Sequence, residues 1–348
     1  MSSTEFHRTY TYKLILLFML ILSTTFVFCI AVTRPGIQTN LKSIVPNMVY
    51  GIAYKPYMYR VLLPYIANKM ILSIPEKIRI TIAQVTYHSP TLKPIFSDRR
   101  WYIYYASEYY VVLMLMYASL WGFVFSFRYF FRGLFKTSER FVDAVSLSVI
   151  LGLPCLYWPT TYIYDFTTLF LFTLGLATMI RRKWRLYLFI FVLACLNKET
   201  TILLTCIYAI HFFKDQKLKL STYIILLLIQ IAIFISIKTF IDALFIHNRG
   251  VLVEFWLKRN IFLLVRPYPI SIYLQWLALG FLVIYKWSEK PLFLKQGLLI
   301  LMPLLIAAVI WGWINELRAL YEVYPIVILL MSYSIARILH VNINVKLS

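Results

Sequence analysis

The chain reads as an all-α polytopic membrane protein: a single integral membrane domain over residues 1–348, with about ten transmembrane helices and a long first extracytoplasmic loop carrying interfacial helices. Three observations predict this. First, 61% of its 348 residues are apolar and only 14% are charged, whereas a soluble domain carries about 25% charged residues. Second, apolar runs long enough to cross a bilayer, about 20 residues each, recur along the whole chain. Third, Lys and Arg gather between those runs, as they do in cytoplasmic loops. The net charge of +21 belongs to this pattern rather than to nucleic-acid binding, since no nucleic-acid motif accompanies it.

The first run, 14–33, is too long for a signal-peptide core and lacks a small-residue cleavage site, so it reads as a retained helix. Further spans fall at 109–127, 141–158, 164–180, 221–243, 270–285, 296–313 and 319–337. Residues 186–213 form an apolar run of 28 residues broken by Asn197-Lys198-Glu199-Thr200, long for one crossing and short for two. Charge favours a hairpin. Arg128, Arg132, Lys136 and Arg140 mark one cytoplasmic loop, and Arg181, Arg182, Lys183 and Arg185 another. A hairpin also puts Lys214, Lys217, Lys219, Lys286, Lys290, Lys295, Arg337 and Lys346 inside, and both termini become cytoplasmic.

The loop 34–105 is strongly basic, with only Glu76 and Asp98 opposing its cations; long loops translocate regardless of charge. Its apolar stretch Tyr57–Ile74 carries Arg60 and Lys69 and predicts a helix lying in the interface with its cations reaching headgroups; 76–86 predicts a second. Such a loop either grips anionic lipid or cradles the phosphate of a lipid-linked substrate. Cys29, Cys155, Cys195 and Cys206 lie in apolar segments without metal or disulfide spacing, and His7, His88, His211, His247 and His340 are scattered. No serine–histidine–acid set, phosphate-binding glycine loop or metal motif is visible, which argues against a hydrolase or an ATP-driven machine.

Polar groups at membrane depth are functional candidates. Four patches qualify. In Trp158-Pro159-Thr160-Thr161-Tyr162-Ile163-Tyr164-Asp165, Asp165 either caps a helix or acts on a sugar hydroxyl beside a stacking surface of Trp158, Tyr162 and Tyr164. Lys198 and Glu199 either pair internally or line a wet cavity. In Asn315-Glu316-Leu317-Arg318, followed by Glu322, the charges either bridge helices or let Arg318 bind a phosphate that Glu316 positions. Tyr54-Lys55-Pro56-Tyr57-Met58-Tyr59-Arg60 is either an aromatic belt or a lipid-phosphate or sugar site. Asp143 lies near a cytoplasmic helix end, and Lys238 and Asp242 have the spacing of an i,i+4 pair.

The strings Tyr59-Arg60-Val61-Leu62-Leu63-Pro64, Tyr164-Asp165-Phe166-Thr167-Thr168-Leu169-Phe170, Asn197-Lys198-Glu199-Thr200 and Glu316-Leu317-Arg318 resemble polytopic bacterial envelope proteins related to membrane glycosyltransferases of the C superfamily. By layout the resemblance covers most of the chain, and by sequence only these short patches. It implies an inner-membrane protein that takes a sugar from a polyprenyl-phosphate carrier on the outer face and passes it to an envelope or lipid-linked glycan. In that class a carboxylate of the first outer loop serves as base. The chain departs from this pattern, since 34–75 holds no Asp or Glu. Asp165, in the turn after the third span, matches a second acid position of the class, with Glu199 and Glu316 behind it.

The implied chemistry needs no metal or other cofactor. A carboxylate takes the acceptor hydroxyl proton while Lys55, Arg60 or Arg318 neutralises the leaving phosphate, with Lys198 as a further cation. The partners are then the polyprenyl-phosphate-linked sugar and membrane lipids, with no nucleic acid. Two rivals remain: an O-antigen or exopolysaccharide polymerase relying on outer-loop arginines, and a lipid-linked glycan transporter or flippase.

Overall fold

The computed structural model describes residues 3–38, 40–213, 215–251 and 253–346; Lys214 and the side chain of His7 lie outside what is described. The longer helices are α1 (Ser3–Val32), α2 (Leu62–Ser73), α3 (Glu76–His88), α4 (Ala106–Leu134), α5 (Glu139–Leu151), α6 (Asp165–Ile180), α7 (Trp184–Asn197), α8 (Ile202–Phe212), α9 (Leu220–Leu244), α10 (Leu257–Val265), α11 (Ile270–Ile284), α12 (Leu292–Ile310) and α13 (Tyr324–Ile338). One two-residue antiparallel pair, Phe135–Lys136 with Asn344–Val345, ties the end of α4 to the C-terminal segment. The protein is all-α in its architecture.

Among the described residues, four helices are long and apolar enough to cross a membrane: α1 over Tyr10–Val32, α4 with its leading turn over Ile103–Leu134, α9, and α12. A fifth arises if α10 and α11, bent by 99° across a short break, count as one span. This is the pattern of a multi-pass membrane protein, and it corrects the expectation of about ten spans. The difference has local causes. The 141–158 run stops as a helix at Leu151, where Gly152 and Pro154 divert it into a 3-10 turn, Leu153–Leu156. The 186–213 run divides into α7 and α8, of 14 and 11 residues. Helices α6 and α13 have 16 and 15 residues, which at 1.5 Å per residue reach only about 22–24 Å of the roughly 30 Å hydrocarbon core.

The 186–213 segment is nonetheless a hairpin. Arg182, just before α7, pairs with Asp215, just after α8, at 2.5 Å, so both ends return to one side. The same side holds Arg128 paired with Asp143 and Arg132 paired with Glu139, and Tyr12 also donates to Asp143 at 2.7 Å. The tip of the hairpin lies at the opposite end.

The centre of the bundle is α4 packed along α6, with α7 on the far side of α6 and α2 against α4. Gly122 lets α4 approach: a Cβ there would stand 2.9 Å from the Phe170 ring. Helices α1, α9 and α11 instead turn Leu, Ile and Phe outward, among them Phe18, Phe26, Leu228, Phe240 and Leu277. Apolar residues in such number on the outside of a bundle are what a lipid-facing surface presents.

The predicted interfacial helix starts later than its apolar stretch. Residues Tyr57–Tyr59 form a 3-10 turn and α2 begins at Leu62. Arg60 therefore lies off the helix and turns into the protein, rather than reaching for headgroups. Lys69 remains on α2, over the Tyr65 ring. The second predicted helix is present as α3.

Candidate functional site

Four sequence patches from distant parts of the chain meet at the end of the bundle that holds the hairpin tip. Four anchors hold parts of this end together. The Val61 N–H donates to the Leu196 carbonyl at 2.9 Å, fixing the 57–61 turn on the end of α7, while Tyr59 Oη donates to Asp242 of α9 at 2.7 Å. Asn197, fully buried, donates through Nδ2 to Thr168 Oγ1 at 2.9 Å and to the Tyr164 carbonyl at 3.3 Å, joining the C-terminus of α7 to the N-terminus of α6. Thr161 Oγ1 donates to the Ala31 carbonyl at 2.7 Å, and Gly36 lies so close to Thr161 that a Cβ would meet its carbonyl oxygen at 2.0 Å.

On this frame Tyr162 and Tyr164 stack with centroids 5.6 Å apart and planes within 3°. A guanidinium covers each: Arg60 lies 4.6 Å from the Tyr164 ring centre and Arg318 4.2 Å from that of Tyr162. Cation–π attraction of this kind is worth about 2 kcal/mol when desolvated. Arg60 also donates to Tyr164 Oη and to Glu199 Oε1, both at 2.7 Å. Arg318 donates to Glu316 Oε2 at 2.6 Å and to Thr160 Oγ1 at 3.3 Å, and stands 3.6 Å from Asp165 Oδ1. Asn40 Nδ2 donates to the hydroxyls of Tyr57 and Tyr162 on the rim.

Below this layer Lys198 Nζ donates to Glu322 Oε1 at 2.8 Å, and Thr200 donates to the same oxygen. Glu322 is 0% exposed. Three cations, Arg60, Lys198 and Arg318, thus face four carboxylates, Asp165, Glu199, Glu316 and Glu322.

The three carboxylates proposed from sequence have different settings. Asp165 is 2% exposed and accepts the Tyr162 N–H through Oδ2 at 2.8 Å, a helix-start role. Its Oδ1, close to Arg318, accepts no hydrogen bond, and neither do Glu199 Oε2 and Glu322 Oε2. Glu316 is nearly enclosed, whereas the Glu199 side chain is 45% exposed. Burial opposes the charge of Arg60, but the Glu199 carboxylate and the Tyr164 hydroxyl outweigh it and hold the guanidinium pKa above its ordinary value. Burial likewise pushes the Tyr162 hydroxyl well above its usual range, against the pull of Arg318.

No family model matches the chain, and no curated protein or solved structure is significantly similar to it.

Several expectations need correction. Lys55 is outside the cluster: it donates to the Ile246 carbonyl on the loop after α9. Trp158 is 62% exposed and carries Arg34 on its ring, so it stands apart from the Tyr162–Tyr164 stack, where Tyr57 packs instead with its ring centre 5.2 Å from that of Tyr162. Lys198 pairs with Glu322, not with neighbouring Glu199. Lys238 and Asp242 do not bond each other: Lys238 donates to the Cys195 carbonyl and Asp242 serves Tyr59. Sequence reading missed Asn40 and Glu108. Asn40 has no local signal, being one polar residue in a loop. Glu108 fell between the loop end at 105 and the span start at 109, yet it is a buried carboxylate in the first turn of α4.

Proposed function

We propose that the protein is a membrane glycosyltransferase that moves a sugar from a polyprenyl-phosphate carrier to a glycan acceptor. One observation carries the reading: a buried guanidinium, Arg60, and a largely enclosed one, Arg318, 258 positions apart in sequence (318 less 60), clasp one tyrosine pair, and Arg60 leaves an N–H donor unused. Arg60 has five donors, and its Nε makes no bond. Guanidinium forks match phosphate oxygens, and the tyrosine hydroxyls can hydrogen-bond those of a sugar.

The acceptor hydroxyl oxygen attacks the anomeric carbon, the carbon–oxygen bond to phosphate breaks, and its electron pair passes to the phosphate, which Arg60 and Arg318 stabilise. The hydroxyl proton goes to a carboxylate. We assign that role to Glu199, whose Oε2 accepts no hydrogen bond, with Asp165 and Glu316 beside Arg318 holding it in place. The arginine-rich end would be cytoplasmic and the site extracytoplasmic, in a bacterial inner membrane.

The test is transfer from a radiolabelled polyprenyl-phosphate sugar in proteoliposomes. Glu199→Gln is expected to lower the rate about 10²–10⁴-fold, the usual contribution of a general base. Full activity in both Glu199→Gln and Arg60→Met overturns the assignment. The 99° bend between α10 and α11 favours a second reading, a lipid-linked glycan transporter with a broken helix. That reading requires sugar-lipid flux across vesicles that contain no acceptor.

A further inference from the structure

A cleft of about 590 Å³ opens between α3 and the start of α4, away from the arginine–tyrosine cluster. Its size is that of a small-molecule site. At its base Glu108 is buried and accepts hydrogen bonds from Tyr50 Oη and, at 2.8 Å, from Ser107 Oγ. On the α3 wall Arg79 turns a buried Nε without a hydrogen-bond partner. Tyr50 and Tyr105 face each other with ring centres 6.2 Å apart, and Tyr87 and Gln84 complete the rim.

Helix-start capping accounts for a carboxylate in the first turn of α4. It does not account for the volume above it, the unused Arg79 donor or the tyrosine walls. The chemistry narrows the occupant. Glu76 and Glu108 disfavour a phosphate, and Arg79 disfavours an organic cation. A purely apolar tail would leave the Arg79 Nε desolvated without a partner. What remains is a neutral polyhydroxylated ring, whose C–H face lies on tyrosine and whose hydroxyls accept from Arg79 and donate to Glu108.

We infer that this cleft is a saccharide-binding site separate from the proposed transfer centre, where neutral sugar residues of a glycan dock. It deepens the transferase reading by giving the acceptor a place to bind, but its test needs no transfer. Purified protein in nanodiscs is applied to a printed array of neutral and anionic oligosaccharides, with no lipid-linked donor present. At least one neutral oligosaccharide is expected to bind, and Arg79→Met and Tyr105→Ala are each expected to weaken it about tenfold or more. Arg79 is only half-buried, so its variant keeps the test meaningful if a change at buried Glu108 prevents folding. No binding to any neutral oligosaccharide, binding confined to anionic ones, or unchanged binding in both variants overturns the inference. Neutral-glycan binding without transfer in the companion assay leaves the site standing and removes the enzyme.

Discussion

The two ends of the bundle use the same residue types for different ends. At the arginine-rich end, Arg132–Glu139 and Arg182–Asp215 join residues 7 and 33 positions apart, at or near the surface. At the opposite end, Arg60–Glu199 and Lys198–Glu322 join residues 139 and 124 positions apart, with Arg60, Lys198 and Glu322 all buried. Exposed pairs contribute about 0–1 kcal/mol, whereas breaking a buried pair costs about 3–5 kcal/mol because a charge is left without a partner in a medium that cannot solvate it. The first kind decorates a topology; the second holds distant segments together, and only the second creates a setting in which charge is strong enough for chemistry.

The contrast can be broken most directly at its deepest member. Lys198→Met leaves Glu322 in the interior without a counter-charge and should cost about 3–5 kcal/mol, read as a large fall in melting temperature in nanodiscs. Adding Glu322→Leu should restore most of it, since an apolar replacement of both partners is close to neutral. A single variant that melts with the parent would show the pair to be irrelevant to stability.

Arg60→Met separates function from stability. If the guanidinium works on a phosphate, donor transfer should fall about 10²–10³-fold, as for loss of one oxyanion donor, well beyond the decline in folded protein measured on the same sample. Asn197→Ala tests the frame rather than the charges. It removes two buried hydrogen bonds between α6 and α7 and should cost about 1–3 kcal/mol, with a matching loss of activity. A melting curve identical to the parent's would remove Asn197 as an anchor.

The smallest effects belong to the other end. Arg132→Ala should shift stability by less than about 1 kcal/mol and by less still in high salt. Asp215 there has a pH signature. Burial pushes its carboxyl pKa up, but the Lys217 N–H and Arg182 outweigh it and hold the group below its ordinary value. A carboxylate with a folded-state pKa below its unfolded one contributes fully at neutral pH and loses that contribution as pH falls through the acid range. Asp215→Asn should therefore differ from the parent at neutral pH and converge with it in strong acid; a difference that persists there would exclude this linkage.

Much of the candidate site is visible in the linear chain, because polar residues inside apolar runs stand out. Arg60, Tyr162, Tyr164, Asp165, Lys198, Glu199, Glu316 and Arg318 are all conspicuous on that ground. Lys55 and Trp158 are equally conspicuous but lie elsewhere, since residue type says what a side chain can do and not which way its turn faces. The Lys238–Asp242 spacing likewise fits a helical pair, yet each group is taken by a residue outside α9, because a buried carbonyl or hydroxyl competes for the same donor or acceptor.

Composition and hydropathy by themselves determined that this is a helical protein with segments apolar enough to cross a membrane, and the placement of cations marked one end of its bundle. Those are sums over neighbouring residues, so no knowledge of the fold is needed to obtain them. How many helices reach the length of a bilayer was decided by local breaks such as Gly152-Leu153-Pro154 together with packing. Which carboxylate answers Arg60 was decided only when α6, α7 and the 57–61 turn came together, because an ion pair depends on distance in space and the chain separates Arg60 from Glu199 by 139 positions.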